Sequence, residues 1–420
     1  MRILVISQYF WPENFRINDL VQEWRDRGYE VTVLTGVPNY PSGQILADYQ
    51  VNPAGFSEFH GAEIVRVPML PRHTGAFRLM LNYFSFMISA SLLGVWRLRR
   101  KKFDVVFVFE PSPITVGIPA VIFRFFKKVP VVFWVLDLWP ETLSAIGVVK
   151  SKFALHLVGK LVSFIYNRCD MVLGQSKSFS RSIAQYCCDK QKIRYFPSWS
   201  EDVFTSAAGL TPAVEIAQSD DTFTIVFAGN VGEAQDFPAI LRAAELLKTQ
   251  SIKVRWCIVG DGRMSSWLYD QVMQRGLDGY VQILGRFPVE RMPSFYLCAD
   301  ALLVSLKSDP VFALTIPGKV QSYLMSGIPL LGMLDGEGAN VIRDANAGLC
   351  AAAGDAQGLA DAIIEMSKMD LAERKRLGQN GRIYAQAQFG RRKLIDTLDS
   401  WFMEVIDKKT GKNYVVDNGI

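Results

Sequence analysis

Side chains that bind metals or form disulfides are scarce in this sequence of 420 residues, which contains three histidines and six cysteines. No histidine lies at metal-ligand spacing from a cysteine or from another histidine, so a zinc site is not expected. The cysteines form no C-x-x-C pair and no disulfide-framework spacing, which is typical of proteins in a reducing cytoplasm. We therefore predict a cytoplasmic protein with no metal site and no cofactor.

Two further features are missing. The segment MRILVISQYFWPE at residues 1–13 lacks the long apolar core and the small-residue cleavage site of a signal peptide. The sequence also has no G-x-x-x-x-G-K-[ST] motif, which argues against nucleotide hydrolysis by a P-loop. The sequence thus predicts neither secretion nor a P-loop enzyme.

Acidic residues are few in the first half of the chain. Residues 1–200 contain 24 basic and 14 acidic side chains, a net charge of +10, whereas residues 201–420 contain 22 and 27, a net charge of −5. This asymmetry indicates that the first half faces an anionic partner such as a phospholipid surface, a diphosphate or nucleic acid. Nucleic acid is the least expected of these, because the cations do not alternate with exposed aromatic side chains.

One segment has no charge at all over 18 residues, LMLNYFSFMISASLLGVW at 79–96, and five cations follow it within residues 97–102. The run is marginal in length for a membrane-spanning helix, which needs about 20 apolar residues. We expect a helix at the membrane interface, with Met80, Phe84 and Met87 inserted and a basic group at the headgroups comprising Arg99, Arg100, Lys101 and Lys102. The alternative is a buried domain helix whose basic last turn complements its dipole.

Short apolar runs alternate with helical patterns along the chain, and half of all residues are hydrophobic. The runs are nearly continuous in hydrophobicity, as expected for parallel strands buried on both faces. They lie at 2–7, 30–35, 63–67, 104–109, 129–136, 171–174, 223–230, 254–262, 281–285, 301–306 and 328–332. The pattern predicts an α/β protein of two doubly wound, Rossmann-like domains, at residues 1–200 and 201–390, followed by a C-terminal helix and tail at 391–420 that could cross back to the first domain.

Glycine-rich turns follow three successive strands of the second domain, at 228–237, 260–262 and 285–287. We expect backbone amides near Val231 and Gly232 to point at an anion, since the first of these turns precedes a helix. Ordinary turn geometry is the alternative for each glycine taken alone. Three such turns in consecutive βα units favour one pocket, lined by Asn230, Gly232, Gln235, Asp261, Arg286 and Phe287.

A fourth loop, TIPGKVQSYLMSGIPLLG at 315–332, predicts a phosphate site. Pro317 stands where a helix should start, and Gly318 and Lys319 occupy its first turn. Unpaired amides at a helix N-terminus and a lysine ammonium together favour a phosphate. A solvated lysine at an ordinary helix start is the alternative.

Several phrases of this sequence resemble those of the family-4 retaining glycosyltransferases of the GT-B fold, over nearly the whole chain. The phrases are QYFWPENFRINDLVQEW (8–24), RGYEVTVLTGVPNYPSG (27–43), KIRYFPSWSEDVF (192–204), AGNVGEAQDF (228–237), VGDG (259–262) and IPGKVQSYLMSGIPLL (316–331). They look most like the subgroup that builds colanic acid and O-antigen repeat units, including L-fucosaminyltransferases. The resemblance implies two Rossmann-like domains that face a cleft, with the nucleotide sugar bound by the second.

The sequence departs from that family at the donor site. Asn230 and Gln235 stand where the family usually has an Arg and a Lys that hold the donor diphosphate. Ser322 stands where a glutamate of an E-x(7)-E motif normally grips the ribose hydroxyls. If the function is intact, we expect Lys319 and Arg286 to compensate the diphosphate charge, with Arg16 or Arg263 as further candidates.

The acceptor side is predicted at the carboxyl ends of strands in the first domain. Asp137, in DLWPE, is the polar group left to meet the sugar, because Leu136 replaces a family histidine, and Glu141 could act on the acceptor hydroxyl. Capping and helix-dipole roles are equally expected for these two carboxylates. Residues after the first strand, Glu13, Asn14 and Arg16, could meet the acceptor or the donor phosphate, although Arg16 could equally be a surface residue.

The resemblance implies a metal-independent, retaining hexosyl transfer from a nucleoside diphosphate sugar, with UDP favoured, to an undecaprenyl-diphosphate-linked saccharide. The replacement of the family histidine suits a 6-deoxy sugar such as L-FucNAc. An acceptor on a lipid implies a peripheral protein on the inner face of the plasma membrane. A sugar-nucleotide epimerase of similar fold and a non-catalytic membrane-bound scaffold are the alternatives.

Overall fold

The structure is a computed structural model of the chain, and it describes residues 1–72, 75–145, 149, 151–204, 209–217 and 221–411. The chain divides into two compact units, each of which is described by itself. Unit 1 comprises Met1–Pro197 and Ile395–Ile420, and unit 2 comprises Ser198–Leu394. The sequence analysis placed these divisions at residues 200 and 390, and the end of the predicted tail, 412–420, lies outside the described residues.

Unit 1 contains an eight-stranded sheet. Its strands are β1 (Arg2–Ile6), β2 (Glu30–Thr35), β3 (Glu58–Phe59), β4 (Ala62–Arg66), β5 (Val105–Glu110), β6 (Val131–Val135), β7 (Met171–Gly174) and β8 (Ile193–Tyr195). The spatial order is β3-β4-β2-β1-β5-β6-β7-β8, and all neighbours are parallel except β3 and β4. β5 and β6 are buried over their whole length, which explains their unbroken apolar sequences.

The helices of the first part of unit 1 are α1 (Arg16–Asp26), α2 (Ala47–Val51), α3 (Ala76–Ser89), α4 (Val95–Arg97), α5 (Gly117–Lys127), α6 (Glu141–Ala145), α7 (Lys152–Tyr166) and α8 (Lys177–Tyr186). A π-helical turn, Ala90–Gly94, joins α3 to α4. The chain moves in one direction along the sheet from β1 to β2 and in the other from β4 to β7. Right-handed crossovers therefore place α1 on one face and α3, α5 and α7 on the other. In agreement, α5 packs against both α3 and α7.

Unit 2 contains a six-stranded sheet with all neighbours parallel. Its strands are β9 (Phe223–Ala228), β10 (Val254–Val259), β11 (Val281–Gly285), β12 (Ala301–Ser305), β13 (Leu330–Met333) and β14 (Gly348–Ala351), in the order β11-β10-β9-β12-β13-β14. Its helices are α9 (Phe237–Thr249), α10 (Ser265–Gln274), α11 (Met292–Tyr296), α12 (Gly318–Ser326), α13 (Gly336–Asp344), α14 (Ala356–Lys368) and α15 (Leu371–Phe389).

The last helix, α16 (Arg391–Thr410), starts in unit 2 and belongs to unit 1 from Ile395 onward. Its Phe402 ring lies 5.5 Å from the Trp24 ring and 5.7 Å from the Phe107 ring, between centroids. Its Asp399 carboxylate accepts hydrogen bonds from Trp24 Nε1 at 3.1 Å, Arg27 Nη1 at 2.8 Å and the Tyr29 hydroxyl at 3.1 Å. The helix thus completes the core on the α1 face of the unit 1 sheet.

The prediction of two doubly wound, Rossmann-like domains is confirmed, and each strand predicted from an apolar run is present. Three strands, β3, β8 and β14, were not predicted from the sequence. β3 and β8 have two and three residues, and none of their residues is fully buried. β14 is four residues long and buried only at Ala351. Such short, partly exposed strands leave no continuous apolar run to detect.

Candidate functional site

A cavity of about 480 Å³ opens at the carboxyl ends of β9, β10 and β11 in unit 2. Parallel sheets bind ligands at this edge, where the loops converge. The cavity is lined by Gly229, Asn230, Val259, Gly260, Asp261, Gly262, Arg286, Phe287 and Met292. Four of these residues were predicted from the sequence to bind the donor. The structure therefore brings Asn230, Asp261, Arg286 and Phe287 together.

Close packing of the first two loops depends on glycines. A Cβ at Gly260 would lie 1.8 Å from the carbonyl oxygen of Gly229, and a Cβ at Gly262 would lie 2.2 Å from that of Val231. Gly260 also has a φ of 149°, which L side chains rarely adopt. These two glycines let the loop after β10 lie directly on the backbone of the loop after β9.

The prediction that the amides of Val231 and Gly232 point at an anion is wrong. The Val231 N–H donates to the carbonyl oxygen of Asp261 at 2.9 Å, and the Gly232 N–H donates to the Gln235 side-chain oxygen at 3.1 Å. The physical reason is that α9 begins only at Phe237, so these residues form a closed turn before the helix. Gly232 and Gln235 stabilise this turn, and neither lines the cavity.

Lys319 places a buried ammonium beside the cavity. α12 begins at Gly318, directly after Pro317, as the loop sequence predicted. Lys319 Nζ lies 3.6 Å from the centroid of the Phe227 ring and 3.1 Å from where a Cβ of Gly229 would stand. It has no hydrogen-bond partner among the described residues, and burial lowers the pKa of Lys319 to about 7. An anion bound against Gly229 would satisfy this nitrogen, which is otherwise costly to bury in its charged form.

Asp261 and Arg286 place opposite charges on the cavity wall. The Asp261 carboxylate accepts hydrogen bonds from the Ser265 hydroxyl and the Gly262 N–H, both at 2.7 Å. These bonds, with a smaller effect of Arg286, lower the pKa of Asp261. The cavity thus has an ionised acceptor for hydroxyl or N–H groups and a guanidinium that can pair with phosphate.

Two other predicted donor-site residues, Gly318 and Ser322, do not line this cavity. Ser322 is 8% exposed, and its hydroxyl donates to the carbonyl oxygen of Gly318, one turn earlier in α12, at 3.3 Å. A serine inside a helix commonly satisfies its hydroxyl in this way. The burial of Ser322 and its hydrogen bond within α12 therefore contradict the predicted contact with ribose hydroxyls. Gly318 is exposed at the start of the helix.

In unit 1, Glu13 ties together the loops that follow β1 and β2. Its carboxylate accepts hydrogen bonds from the backbone N–H groups of Tyr40 at 2.6 Å, Asn39 at 2.7 Å and Phe10 at 3.2 Å. The residue is 4% exposed, and burial raises the pKa of Glu13 in spite of these bonds. Glu13 therefore holds the loops in place, and the prediction that it meets the acceptor is wrong.

The two neighbours that were predicted with Glu13 lie at the surface of the same edge. Asn14 is exposed. Arg16 is the first residue of α1 and forms an ion pair with Asp19, between Nη1 and Oδ2 at 3.5 Å. Their contact with acceptor or donor phosphate stays a prediction.

Asp137 lies in the loop between β6 and α6, and both of its carboxylate oxygens accept hydrogen bonds there. Thr142 donates its hydroxyl to Oδ1 at 2.6 Å, and Trp139 donates Nε1 to Oδ2 at 3.0 Å. Glu141 begins α6; its Oε2 is buried with no hydrogen-bond partner among the described residues, and burial raises the pKa of Glu141. Asp137 thus orders the loop through its two hydrogen bonds, and Glu141 Oε2 is the carboxylate oxygen that lacks a partner.

The sequence analysis missed Glu110, the last residue of β5. It is 0% exposed, its Oε2 lies 3.4 Å from the backbone N of Asp137, and its Oε1 has no partner among the described residues. Burial and the charge of Asp137 raise the pKa of Glu110 well above its usual value. The available signal was an acidic residue directly after the apolar run at 104–109, at the carboxyl edge of the sheet.

α3 exposes several apolar side chains to solvent and buries Asn82 against the protein, together with Tyr83 and Phe86. Asn82 is fully buried; it accepts from Gln8 Nε2 at 2.7 Å and donates to the carbonyl oxygen of Leu70 at 2.6 Å. Met80 and Phe84 are 48% and 43% exposed, whereas Met87 is half-buried. The outer side of α3 therefore carries exposed apolar side chains.

The stretch Phe77–Arg97 is long and apolar enough to cross a membrane by length and composition, and 28% of its most apolar window is buried in the protein. Of the predicted headgroup cations, Arg99, Arg100 and Lys102 are exposed. Lys101 instead forms an ion pair with Glu63, which withdraws it from the predicted set.

Within the part of the chain that the structure describes, no group of three or more His, Cys, Asp or Glu side chains could hold a metal ion.

Comparison with known families finds two glycosyltransferase domains in this chain. Residues 14–199 match the family described as "Glycosyl transferase 4-like domain", and residues 214–384 match "Glycosyl transferases group 1". The first match covers most of Met1–Pro197 of unit 1 and extends two residues further, and the second lies within unit 2.

Two curated relatives are glycosyltransferases by name. WbjE of Pseudomonas aeruginosa is 26% identical over 250 residues, which are 57% of this chain and 61% of that protein. WcaI of Escherichia coli (strain K12), named as a colanic acid biosynthesis glycosyl transferase, is 24% identical over 343 residues, 78% of this chain and 82% of that protein. The match to WbjE thus spans about three fifths of that relative.

Solved structures share the fold over almost the whole chain. HepE of Anabaena, solved in complex with UDP, has a TM-score of 0.68 at 13% identity, covering 96% of this chain and all of that one. WaaG, a glycosyltransferase involved in lipopolysaccharide biosynthesis, has a TM-score of 0.62 at 14% identity, covering 98% of this chain and all of that one. At this identity the likeness establishes the GT-B fold alone.

Proposed function

Because this chain is a glycosyltransferase of the GT-B fold, with a glycosyl transferase 4-like domain and a group 1 domain, we propose that it transfers a sugar from a UDP-sugar to an undecaprenyl-diphosphate-linked saccharide. The transfer retains the anomeric configuration and belongs to the assembly of O-antigen or of an exopolysaccharide. Support for the pathway comes from the similarity to WcaI. Support for the donor class comes from HepE, which was solved with UDP and with UDP-glucose.

The observation that carries the donor site is the buried ammonium of Lys319 beside the unit 2 cavity. The Lys319 nitrogen has no partner among the described residues, and the Lys319 side chain packs against Gly229, where a Cβ would lie 3.1 Å from Nζ. Gly229 itself lines the cavity. Arg286 lines the same cavity. The two cations take the place of the Arg and Lys that family members have where this chain has Asn230 and Gln235.

In the proposed reaction the bond between the anomeric carbon and the donor phosphate breaks while the acceptor hydroxyl attacks from the same face. The departing UDP oxygen takes the proton of the hydroxyl. Lys319 and Arg286 stabilise the negative charge that develops on the diphosphate, which is the main catalytic effect in such a transfer. This chemistry needs no metal ion.

The proposed sugar is an N-acetylated 6-deoxyhexose such as L-FucNAc. The support is Leu136, an apolar residue directly before Asp137, where relatives use a histidine to meet the 6-hydroxyl. A 6-deoxy sugar has a methyl group at that place, and an apolar side chain would contact it without leaving a polar group unpaired.

The proposed location is the inner face of the plasma membrane, with α3 at the lipid surface. The support is the outward apolar side of α3, with Met80 and Phe84 exposed, and the exposed cations after it, Arg99, Arg100 and Lys102. A lipid-linked acceptor keeps its diphosphate at the bilayer surface, so the enzyme has to reach that surface.

The first test is thermal unfolding of the full chain with a panel of nucleotide sugars. A ligand at 100 times its Kd adds about 2.7 kcal/mol to the unfolding free energy. We expect UDP-sugars to stabilise the protein and UDP-linked N-acetyl-6-deoxyhexoses to do so most strongly. Stabilisation by sugars on other nucleotides, but not on UDP, would contradict the proposed donor.

The second test separates transfer from the alternatives. The stabilising donor is incubated with a polyprenyl-diphosphate-linked acceptor, and the products are identified by mass spectrometry. Transfer to the acceptor supports the proposal. Epimerised donor without acceptor would identify an epimerase, and donor binding without turnover would identify a non-catalytic scaffold.

A further inference from the structure

Exposed phenylalanines are concentrated on three helices of unit 1. Among the described residues, six phenylalanines are classed as exposed, and they lie on α3, α5 and α7: Phe77, Phe84, Phe125, Phe126, Phe153 and Phe164. Phe125 is 77% exposed and Phe153 is 72% exposed. Burying a phenylalanine removes a large apolar area from water, so six exposed rings on three helices indicate that something covers them.

These three helices form one continuous surface. They cover the same face of the unit 1 sheet, opposite α1, and α5 packs against both α3 and α7. Gly117, at the start of α5, has no side chain where Ile165 of α7 approaches: a Cβ there would lie 2.5 Å from Ile165 Cγ2. The exposed rings of α3, α5 and α7 therefore lie over the same face of the unit 1 sheet.

The charges of this surface are of one sign. No acidic residue occurs in 76–103, 111–136 or 142–169, the segments that contain the three helices. Exposed cations lie beside the rings: the Arg168 guanidinium is 3.7 Å from the Phe164 ring centroid, and that of Arg99 is 4.3 Å from the Trp96 ring centroid. Further exposed cations are Arg78, Arg97, Arg100, Lys102, Lys128, Lys152 and Lys160.

We infer that α3, α5 and α7 together form a bilayer-docking surface, hereafter the three-helix face, which seats unit 1 on an anionic phospholipid membrane. This inference rests on the proposed function, and it enlarges the membrane contact proposed there from one helix to three. Aromatic side chains with neighbouring cations fit the boundary between acyl chains and anionic headgroups, because the rings enter the apolar layer and the cations stay at its surface.

A bilayer fits this surface better than a second copy of the chain. A symmetric dimer through the three-helix face would bring its cations against the same cations of the partner, with no carboxylate in these segments to neutralise them. α3 is also held on its inner side, because Asn82 hydrogen-bonds to Gln8 and to Leu70. The face therefore docks as a rigid surface, and α3 stays packed on unit 1.

The test is co-sedimentation of the full-length protein with vesicles of phosphatidylcholine and phosphatidylglycerol, 7:3, and with vesicles of phosphatidylcholine alone. Three double variants each remove two exposed apolar side chains: Phe125→Ser with Phe126→Ser on α5, Phe153→Ser with Phe164→Ser on α7, and Met80→Ser with Phe84→Ser on α3. The matched control is Tyr269→Ser with Met273→Ser on α10 of unit 2, where the side chains are 58% and 52% exposed.

We expect the α5 pair and the α7 pair each to lower the partition coefficient on the anionic vesicles about tenfold or more, because binding scales with the apolar area inserted. The control pair should bind like wild type, and all variants should keep their UDP affinity. Because all the substituted side chains are exposed, folding is expected to be retained, and circular dichroism checks this.

The outcomes separate the inference from the proposed function. If only the α3 pair weakens binding, the three-helix face is overturned while the α3 contact stands. If wild type ignores both kinds of vesicle, both membrane statements fail, and the transfer assay still tests the enzyme. If sedimentation without vesicles shows a dimer that the α5 and α7 pairs dissociate, the face is an interface between copies and the inference is overturned.

Discussion

At the scale of single residues, the donor site is set by the state of one lysine. Burial against Phe227 and Gly229 lowers the pKa of Lys319 to about 7, so about half of the molecules hold this side chain neutral at neutral pH. A bound diphosphate would favour the ammonium form and raise that pKa again. Donor binding is therefore expected to take up a proton.

The corresponding prediction is measured by calorimetric titration of UDP in buffers of different ionisation enthalpy. We expect uptake of roughly half a proton at pH 7, rising towards one at pH 8, because the free lysine is increasingly neutral. Lys319→Ala should abolish the uptake and lower turnover on the order of 10²-fold, the effect of losing one transition-state donor. Lys375→Ala, at an exposed position of α15, is the control. Near-normal turnover of Lys319→Ala would refute the donor-site assignment.

Asp137 is predicted to act in transfer and not in nucleotide binding, because it lies in unit 1 and the donor cavity lies in unit 2. Asp137→Asn should nearly abolish transfer and leave the UDP affinity within a few-fold. Its carboxylate also orders its own loop through Thr142, so Thr142→Val serves as the control for that structural effect. If Thr142→Val loses as much activity as Asp137→Asn, the role of Asp137 is to hold the loop.

Glu110 makes stability depend on pH. Its pKa is raised by burial, so in the folded protein it keeps a proton that the unfolded chain releases above about pH 4.5. Its contribution to stability is therefore fully present below that pH and is lost as the pH rises towards the folded pKa, by up to 1.4 kcal/mol per pH unit. We expect Glu110→Gln to gain stability relative to wild type between pH 4.5 and pH 8 in urea unfolding. The exposed Glu58→Gln should show no such trend. A constant difference would mean that Glu110 is ionised in the fold.

At the scale of elements, the sequence predicted what depends on long apolar runs and on distinctive turns. The buried strands and the start of α12 after Pro317 follow directly from local sequence, because continuous β-branched segments and Pro at a helix start have few other uses. The side chains around the site were less predictable. The closing of the 231–235 turn by Gln235, the burial of Glu13 and the pairing of Lys101 with Glu63 all depend on contacts that the chain order does not reveal.

The orientation of α3 was only partly predictable. Met80, Phe84 and Met87 were expected to point away from the protein, and the structure exposes Met80 and Phe84, whereas Met87 is half-buried. The burial of Asn82 depends on its hydrogen bonds to Gln8 and to the Leu70 carbonyl, which the chain order does not reveal.

The basic segment after α4 gives a prediction at this scale. Each exposed cation near an anionic surface is worth about 1 kcal/mol, so replacing Arg99, Arg100 and Lys102 by Gln should weaken binding to phosphatidylglycerol vesicles at low salt on the order of 100-fold. The single variant Lys101→Gln should weaken vesicle binding less than the single replacement of Arg99, Arg100 or Lys102 by Gln, because Lys101 is paired with Glu63. Co-sedimentation measures both. Unchanged binding of the triple variant would remove these cations from the membrane contact.

At the scale of the whole molecule, α16, the last helix, returns to unit 1 and packs against α1, the first helix. Asp399 accepts three hydrogen bonds from Trp24, Arg27 and Tyr29, and its side chain is 13% exposed. Its neighbour Asp396 pairs with Arg27 Nη1 at 2.7 Å but is 58% exposed. The two carboxylates therefore share a partner and differ in burial.

Substituting each of these two carboxylates tests the role of burial, with the exposed Asp396 as the control for Asp399. Asp399→Ala should lower the free energy of unfolding by about 2–4 kcal/mol, because it leaves partly buried donors without an acceptor. Asp396→Ala should cost about 0.5 kcal/mol or less, as is usual for an exposed ion pair. Chemical denaturation followed by tryptophan fluorescence measures both. Losses of about 0.5 kcal/mol or less for both variants would show that α16 is held by its apolar contacts.

The path of α16 also has a consequence for how the protein is made. When the ribosome has produced the first 197 residues, the helix that covers Trp24 and Phe107 has not been synthesised. At about 5–20 residues per second, the remaining half of the chain takes roughly 10–45 s to appear. Throughout that interval the nascent first domain displays an uncovered apolar core surface on one side of its sheet and the phenylalanine-rich helices on the other. Translation in the presence of holding chaperones, or close to the membrane, would therefore protect the nascent chain from aggregation until its last helix arrives.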